Sequence, residues 1–105
     1  MADTQQTTFE QGGTEYEIVY VPKRIEMAEA ALGNRSVVQV FSQMPTIKDE
    51  RTVVAYGLRE VGSAAWVNPT RAMQVVDGYI GDHGMVSLMN LAAEALSRDC
   101  GFLFQ

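Results

Sequence analysis

A single cysteine, a single histidine and a single tryptophan stand in this chain of 105 residues. Cys100 has no internal partner for a disulfide, and a lone thiol suits a reducing compartment. His83 and Cys100 have no companions at metal-ligand spacing, so they read as a loop imidazole and an inert thiol. One histidine and one cysteine also supply a single conceivable base–nucleophile pair, and neither sits in a recognisable elbow. No run of about 18 apolar residues occurs, and Met1 to Gln11 lacks the basic start and apolar stretch of a secretory signal, so the expectation is a cytosolic protein without a membrane partner. Positive charge is scarce as well: 8 Lys and Arg face 13 Asp and Glu, giving a formal charge of -5. The longest basic run is Lys23-Arg24. Neutralising phosphates needs clustered Lys and Arg, so nucleic acid is not an expected partner.

Hydrophobic residues make up 47% of the chain and charged ones 20%, an ordinary balance for one globular domain. At this length folding buries roughly two thirds of the unfolded surface, enough for a core without disulfides or metals. The strongest periodicity lies at Met85 to Leu96, where Met85, Leu88, Met89, Ala92, Ala95 and Leu96 repeat at helical spacing and Val86 and Leu91 widen the face. This segment reads as the central core helix, with Leu88, Leu91, Ala92 and Leu96 almost fully buried.

Residues 1–8 are polar and read as a flexible N-terminus, leaving 9–105 as a single domain. Gly12-Gly13 can take positive φ and predicts a hairpin between Thr7 to Gln11 and Thr14 to Val21. In that register Phe9 faces Tyr16, Glu10 faces Glu15, and Tyr16, Ile18 and Tyr20 share one face. Pro22 opens a first helix with Ile25, Ala28 and Leu32 inward, ended by Gly33. Ser36 and Gln39 form a capping box for a second, with Val37, Val40, Phe41 and Met44 at helical spacing; this outweighs the β-propensity of its valines. Thr46, with Asp49 and Glu50 in the next turn, opens a third whose inward side is Ile47, Val54, Leu58 and Val61, closed by Gly62. Ser63 to Val67 form a linker holding Trp66. Asn68-Pro69 opens a fourth helix with Met73, Val76 and Ile80 inward, broken by Gly81 to Gly84. The expected fold class is therefore mainly α, a compact bundle of about five short helices with an N-terminal β-hairpin. Arg98 and Gly101 end the core helix, leaving Phe102-Leu103-Phe104 as an apolar tail, folded back on the core or free to meet another chain.

Other arrangements resemble sites without completing one. Asp77 to Asp82 carries two acids, but Tyr79 and Gly81 occupy places where a calcium loop needs oxygens. Gly12-Gly13 and Gly81 to Gly84 lack the Gly-Lys-Ser or Gly-Lys-Thr of a phosphate loop. A helix-turn-helix over Val37 to Glu60 would place Asp49 and Glu50 where DNA contacts are needed. No cofactor, metal or catalytic residue is expected. The candidates for partner binding are Trp66, whose ring can dock inward or outward, and Phe102, Leu103 and Phe104.

The order of elements carries a resemblance. A short β-like start followed by Ile25-Glu26-Met27-Ala28-Glu29-Ala30-Ala31-Leu32-Gly33-Asn34-Arg35-Ser36-Val37-Val38 resembles the opening of tail assembly chaperones from long-tailed bacteriophages and gene transfer agents. Val53-Val54-Ala55-Tyr56-Gly57-Leu58-Arg59 resembles that family's middle helix. Val75-Val76-Asp77-Gly78-Tyr79-Ile80-Gly81-Asp82-His83-Gly84 is similar to its helix and glycine break, and Leu91-Ala92-Ala93-Glu94-Ala95-Leu96 to its closing helix. The resemblance implies a non-enzymatic protein of the host bacterial cytoplasm, absent from the mature virion. It would hold the tape measure protein soluble and help recruit the major tail tube protein, with a homo-oligomer as a further possibility. The alternative is a structural tail or head-tail connector protein retained in the particle.

Overall fold

Gly12 and Gly13 both take positive φ, 62° and 85°, and turn the chain between β1 (Thr8–Gln11) and β2 (Thr14–Ile18). The pairing is antiparallel in the expected register, Phe9 opposite Tyr16 and Glu10 opposite Glu15. The computed structural model describes residues 7–43 and 45–104, the side chain of Phe104 excepted. The expectation for Met44 therefore lies outside the described residues, as does that for residues 1–6. Thr7 and Thr8 belong to the fold: Thr7 is buried and Thr8 pairs with Glu17.

Five α-helices follow among the described residues: α1 (Pro22–Ala31), α2 (Val37–Ser42), α3 (Ile47–Ala55), α4 (Pro69–His83) and α5 (Met85–Asp99). A third strand, β3 (Leu58–Glu60), stands between α3 and α4, and a 3-10 turn, Gly101–Phe104, closes the described chain. The molecule is thus mainly helical, with an N-terminal hairpin extended to three antiparallel strands in the order β1-β2-β3. The starts of the helices follow the chemistry of their caps. Ser36 Oγ accepts from Gln39 N and Thr46 Oγ1 from Asp49 N, while Asn68 Oδ1 accepts from Thr70 N and Arg71 N. Glu29 of α1 also reaches across to accept from Val37 N, tying α1 to the start of α2.

β3 corrects the expected third helix. α3 stops at Ala55, and Leu58 to Glu60 instead pair with Ile18 to Tyr16. The reason is tertiary. The outer edge of β2 presents unpaired backbone groups, and a two-stranded hairpin alone is marginal, so a third strand satisfies both needs. Gly57 permits the approach: a Cβ there would lie 2.6 Å from the ring of Tyr20, whose hydroxyl donates to Val53 O. Leu58 stays buried through the strand, but Ile47 and Val61, expected inward, are exposed.

α4 corrects the second boundary. It runs through Gly81 and Asp82 to His83 and yields only at Gly84, where φ is 91°. Its buried line is Ala72, Val76 and Tyr79, with Met73 and Ile80 half-buried at its sides. Gly78 lets β1 come close, since a Cβ there would meet the Gln11 side chain at 2.9 Å.

α5 is central as expected. Leu88, Ala92, Ala95 and Leu96 are buried and pack with Ile18, Tyr20, Val53, Val54 and Val76 in the main core. Leu91 is only half-buried and Val86 is exposed, because the face given to α3, α4 and β2 is narrower than the apolar stripe. A smaller cluster of Tyr16, Ala55, Leu58 and Ala72 fills the space between sheet and α4.

Candidate partner-binding surface

Trp66 docks against the sheet. It forms an isolated bridge with Arg59, and its indole N–H donates to Val19 O at 3.0 Å. Two guanidiniums flank the ring, Arg24 at 5.0 Å and Arg59 at 5.2 Å from its centroid. Arg59 is held by Glu17, its Nε and Nη2 both donating to Glu17 Oε2. Arg24 is held by the end of α3: its Nε donates to Tyr56 O, and its guanidinium also lies 5.6 Å from the Tyr56 ring. The tryptophan is therefore half-buried, one part of its ring packed and the rest open.

The tail divides. Leu103 packs against the core, and its N–H donates to Cys100 O, so the 3-10 turn folds back at that residue. Phe102 points away and is 56% exposed. The Phe104 side chain lies outside the described residues. Trp66 is thus held at the sheet edge, whereas Phe102 and Leu103 lie on the turn that follows α5.

Beside the tail, α5 is locked to β2. Arg98 donates to Thr7 Oγ1, Ile18 O and the Asp99 carboxylate, and Asp99 accepts from Tyr20 N. Burial works against the charge on Asp99, but Arg98 and the Tyr20 N–H hold its carboxyl below the usual range. Burial, helped by Asp99, pushes the neighbouring Cys100 thiol up, which fits an inert core residue.

The sites set aside at the sequence level have structural uses. Asp77 pairs with Arg51, Asp82 accepts from Gln11, and both lie on α4. The His83 ring packs against Tyr79 in a tilted arrangement, the centroids 4.6 Å apart. Among the described residues no three His, Cys, Asp or Glu side chains gather closely enough to hold a metal ion. A cleft of about 650 Å³ runs along α5 past Tyr79, Ser87, Asn90, Leu91 and Glu94. No helix among the described residues is long and apolar enough to cross a membrane.

In α2 and α3, the pair that could imitate a helix-turn-helix, Asp49 makes two hydrogen bonds to Arg35. The Arg35 guanidinium is thereby paired with an acid at the start of α3. At physiological salt a gel-shift titration with duplex DNA is expected to give binding no tighter than about 0.1 mM. Submicromolar binding would overturn the expectation.

Sequence reasoning missed Arg24, which lies beside both Trp66 and Tyr56. The three come from α1, the end of α3 and the segment after β3, and no local spacing joins them.

By its fold the chain belongs to the mainly helical class with a small antiparallel sheet. Comparison with protein-family models, curated proteins and solved structures finds no match for it.

Proposed function

We propose that the protein is a tail assembly chaperone of a long-tailed phage, binding the tape measure protein and helping to recruit tail tube subunits during morphogenesis. The reading rests on the resemblance of the stretches at Ile25 to Val38, Val53 to Arg59, Val75 to Gly84 and Leu91 to Leu96. The observation in the fold that carries it is Phe102, an exposed aromatic ring on a turn that Leu103 anchors to the core. A holding protein needs apolar surface for its client and net charge to stay dispersed itself, and here a charge of -5 accompanies that ring. Such a protein acts without catalysis in the host bacterial cytoplasm and leaves before the virion is complete.

Phe102→Ser separates binding from folding. The ring is mostly in water, so melting is expected to shift by the equivalent of less than about 0.5 kcal/mol. Burial of the ring against a client helix is worth about 1 to 2 kcal/mol before ordering costs, so the variant is expected to hold several-fold less co-expressed tape measure protein in solution. Unchanged solubility of the client would remove Phe102 from the mechanism. Mass spectrometry of purified particles tests the wider reading: the chaperone is expected to be absent, and its presence at stoichiometric level would favour a structural tail or connector protein.

A further inference from the structure

We infer that Arg24, with Tyr56 and Trp66 beside it, is a docking anchor for an acidic segment of a protein partner, one in which a carboxylate lies next to an apolar side chain. The inference goes beyond the tail assembly reading and stands without it, since it concerns only the chemistry of the surface.

Arg24 differs from most arginines of the chain in pairing with no carboxylate among the described residues. Arg35, Arg51, Arg59 and Arg98 each pair with an acid, namely Asp49, Asp77, Glu17 and Asp99. Arg24 instead uses Nε on Tyr56 O, and Nη1 has only the soft Met27 sulfur at 3.6 Å. A guanidinium has five N–H donors, so most of its capacity remains for an incoming acceptor. Two aromatic rings lie beside it. With Nε bonded to Tyr56 O and the rings of Tyr56 and Trp66 at 5.6 Å and 5.0 Å, the side chain is already held in place, which lowers the ordering cost of binding a carboxylate.

The electrostatics point the same way. Partial burial is the chief influence on Arg24, lowering its pKa, and the groups that oppose it are the phenols of Tyr56 and Tyr20 rather than any acid. A carboxylate arriving there would relieve a partly desolvated cation. Val21, exposed three residues earlier, offers apolar surface at the start of the same helix. Arg, Trp and Tyr together are the residue types on which interfaces concentrate binding energy. A phosphate backbone is a poor occupant, because the overall charge of -5 repels a polyanion while one segment can place its acids locally.

Trp66 is the single tryptophan, so its emission reports on this surface directly. The probe is a short, capped helical peptide carrying Glu beside Leu on one face; a control peptide has Gln for every Glu. At about 50 mM salt the Glu peptide is expected to bind the unaltered protein about tenfold tighter than the control, with the gap shrinking near 0.5 M salt. Arg24→Gln is expected to abolish the preference. Arg24→Lys, which keeps the charge but loses the forked guanidinium, is expected to reduce it several-fold and serves if the first variant does not fold. Equal affinity for the two peptides, failure of both to bind at millimolar concentration, or tighter binding of a duplex oligonucleotide than of the Glu peptide would overturn the inference.

Discussion

Replacing Leu88 by Ala is expected to lower the unfolding free energy by about 2 to 5 kcal/mol, among the largest effects any single core truncation should give here. Leu88 is fully buried near the start of α5, the helix that meets α3, α4 and β2. Removing its side chain loses the transfer energy of the buried carbons and leaves a cavity that three different elements would have to move to fill. None can shift freely: α3 is tied through Tyr20, β2 is paired on both edges, and α4 ends at the Gly84 turn. Urea denaturation measures the loss, and the same variant should melt about 10 °C or more below the parent. Val86→Ala is the internal control. It lies on the same helix two residues earlier but is exposed, so its cost should stay under about 0.5 kcal/mol. Similar losses at the two positions would contradict the central place of α5.

That contrast shows where sequence reasoning stopped. Met85 to Leu96 announced a buried helix because the period was strong, but its apolar stripe did not say which part would remain uncovered. Leu88 and Leu91 were both expected inside, yet Leu88 is fully buried and Leu91 only half-buried. The hairpin was legible in register because Gly12-Gly13 and the alternation of Tyr16, Ile18 and Tyr20 are both local signals. β3 was not, because Val54, Leu58 and Val61 also satisfy a helical period. What decides against helix is the open edge of β2 and the Tyr20 ring at Gly57, both distant in sequence. The candidate site divides in the same way. Trp66 stood out by rarity and Phe102 by following a helix stop, yet the pairing of Trp66 with Arg24 spans 42 positions and no spacing rule reaches it.

Glu50 carries the other large expected effect, and its direction is unusual: the protein should lose stability as pH rises from about 4.5 to about 7. Glu50 stands in the first turn of α3, where the positive end of a helix normally favours an acid. Here it is fully buried, and neither carboxylate oxygen has a hydrogen-bond partner among the described residues. Burial wins over the helix end and pushes its carboxyl up to about 7 from an ordinary 4.5. The phenol of Tyr20 feels the Glu50 charge and is itself pushed up, chiefly by its own burial and then by Glu50. The folded state therefore keeps a proton on Glu50 that the unfolded chain releases. Stability from this group is fully present below the unfolded value, falls through the window between the two, and is gone above the folded one. A shift of that size corresponds to about 3 kcal/mol between pH 4 and pH 8. Asp49 and Asp99 act in the opposite sense, both held below the usual carboxylate range, but their contribution changes under more acidic conditions. Glu50→Gln keeps the shape and removes the charge. Its unfolding free energy should match the parent within about 1 kcal/mol at pH 5 and exceed it by about 2 to 3 kcal/mol at pH 8. Urea titrations at the two pH values decide the matter, and a variant that weakens with pH as steeply as the parent would show that Glu50 is already ionised in the folded core.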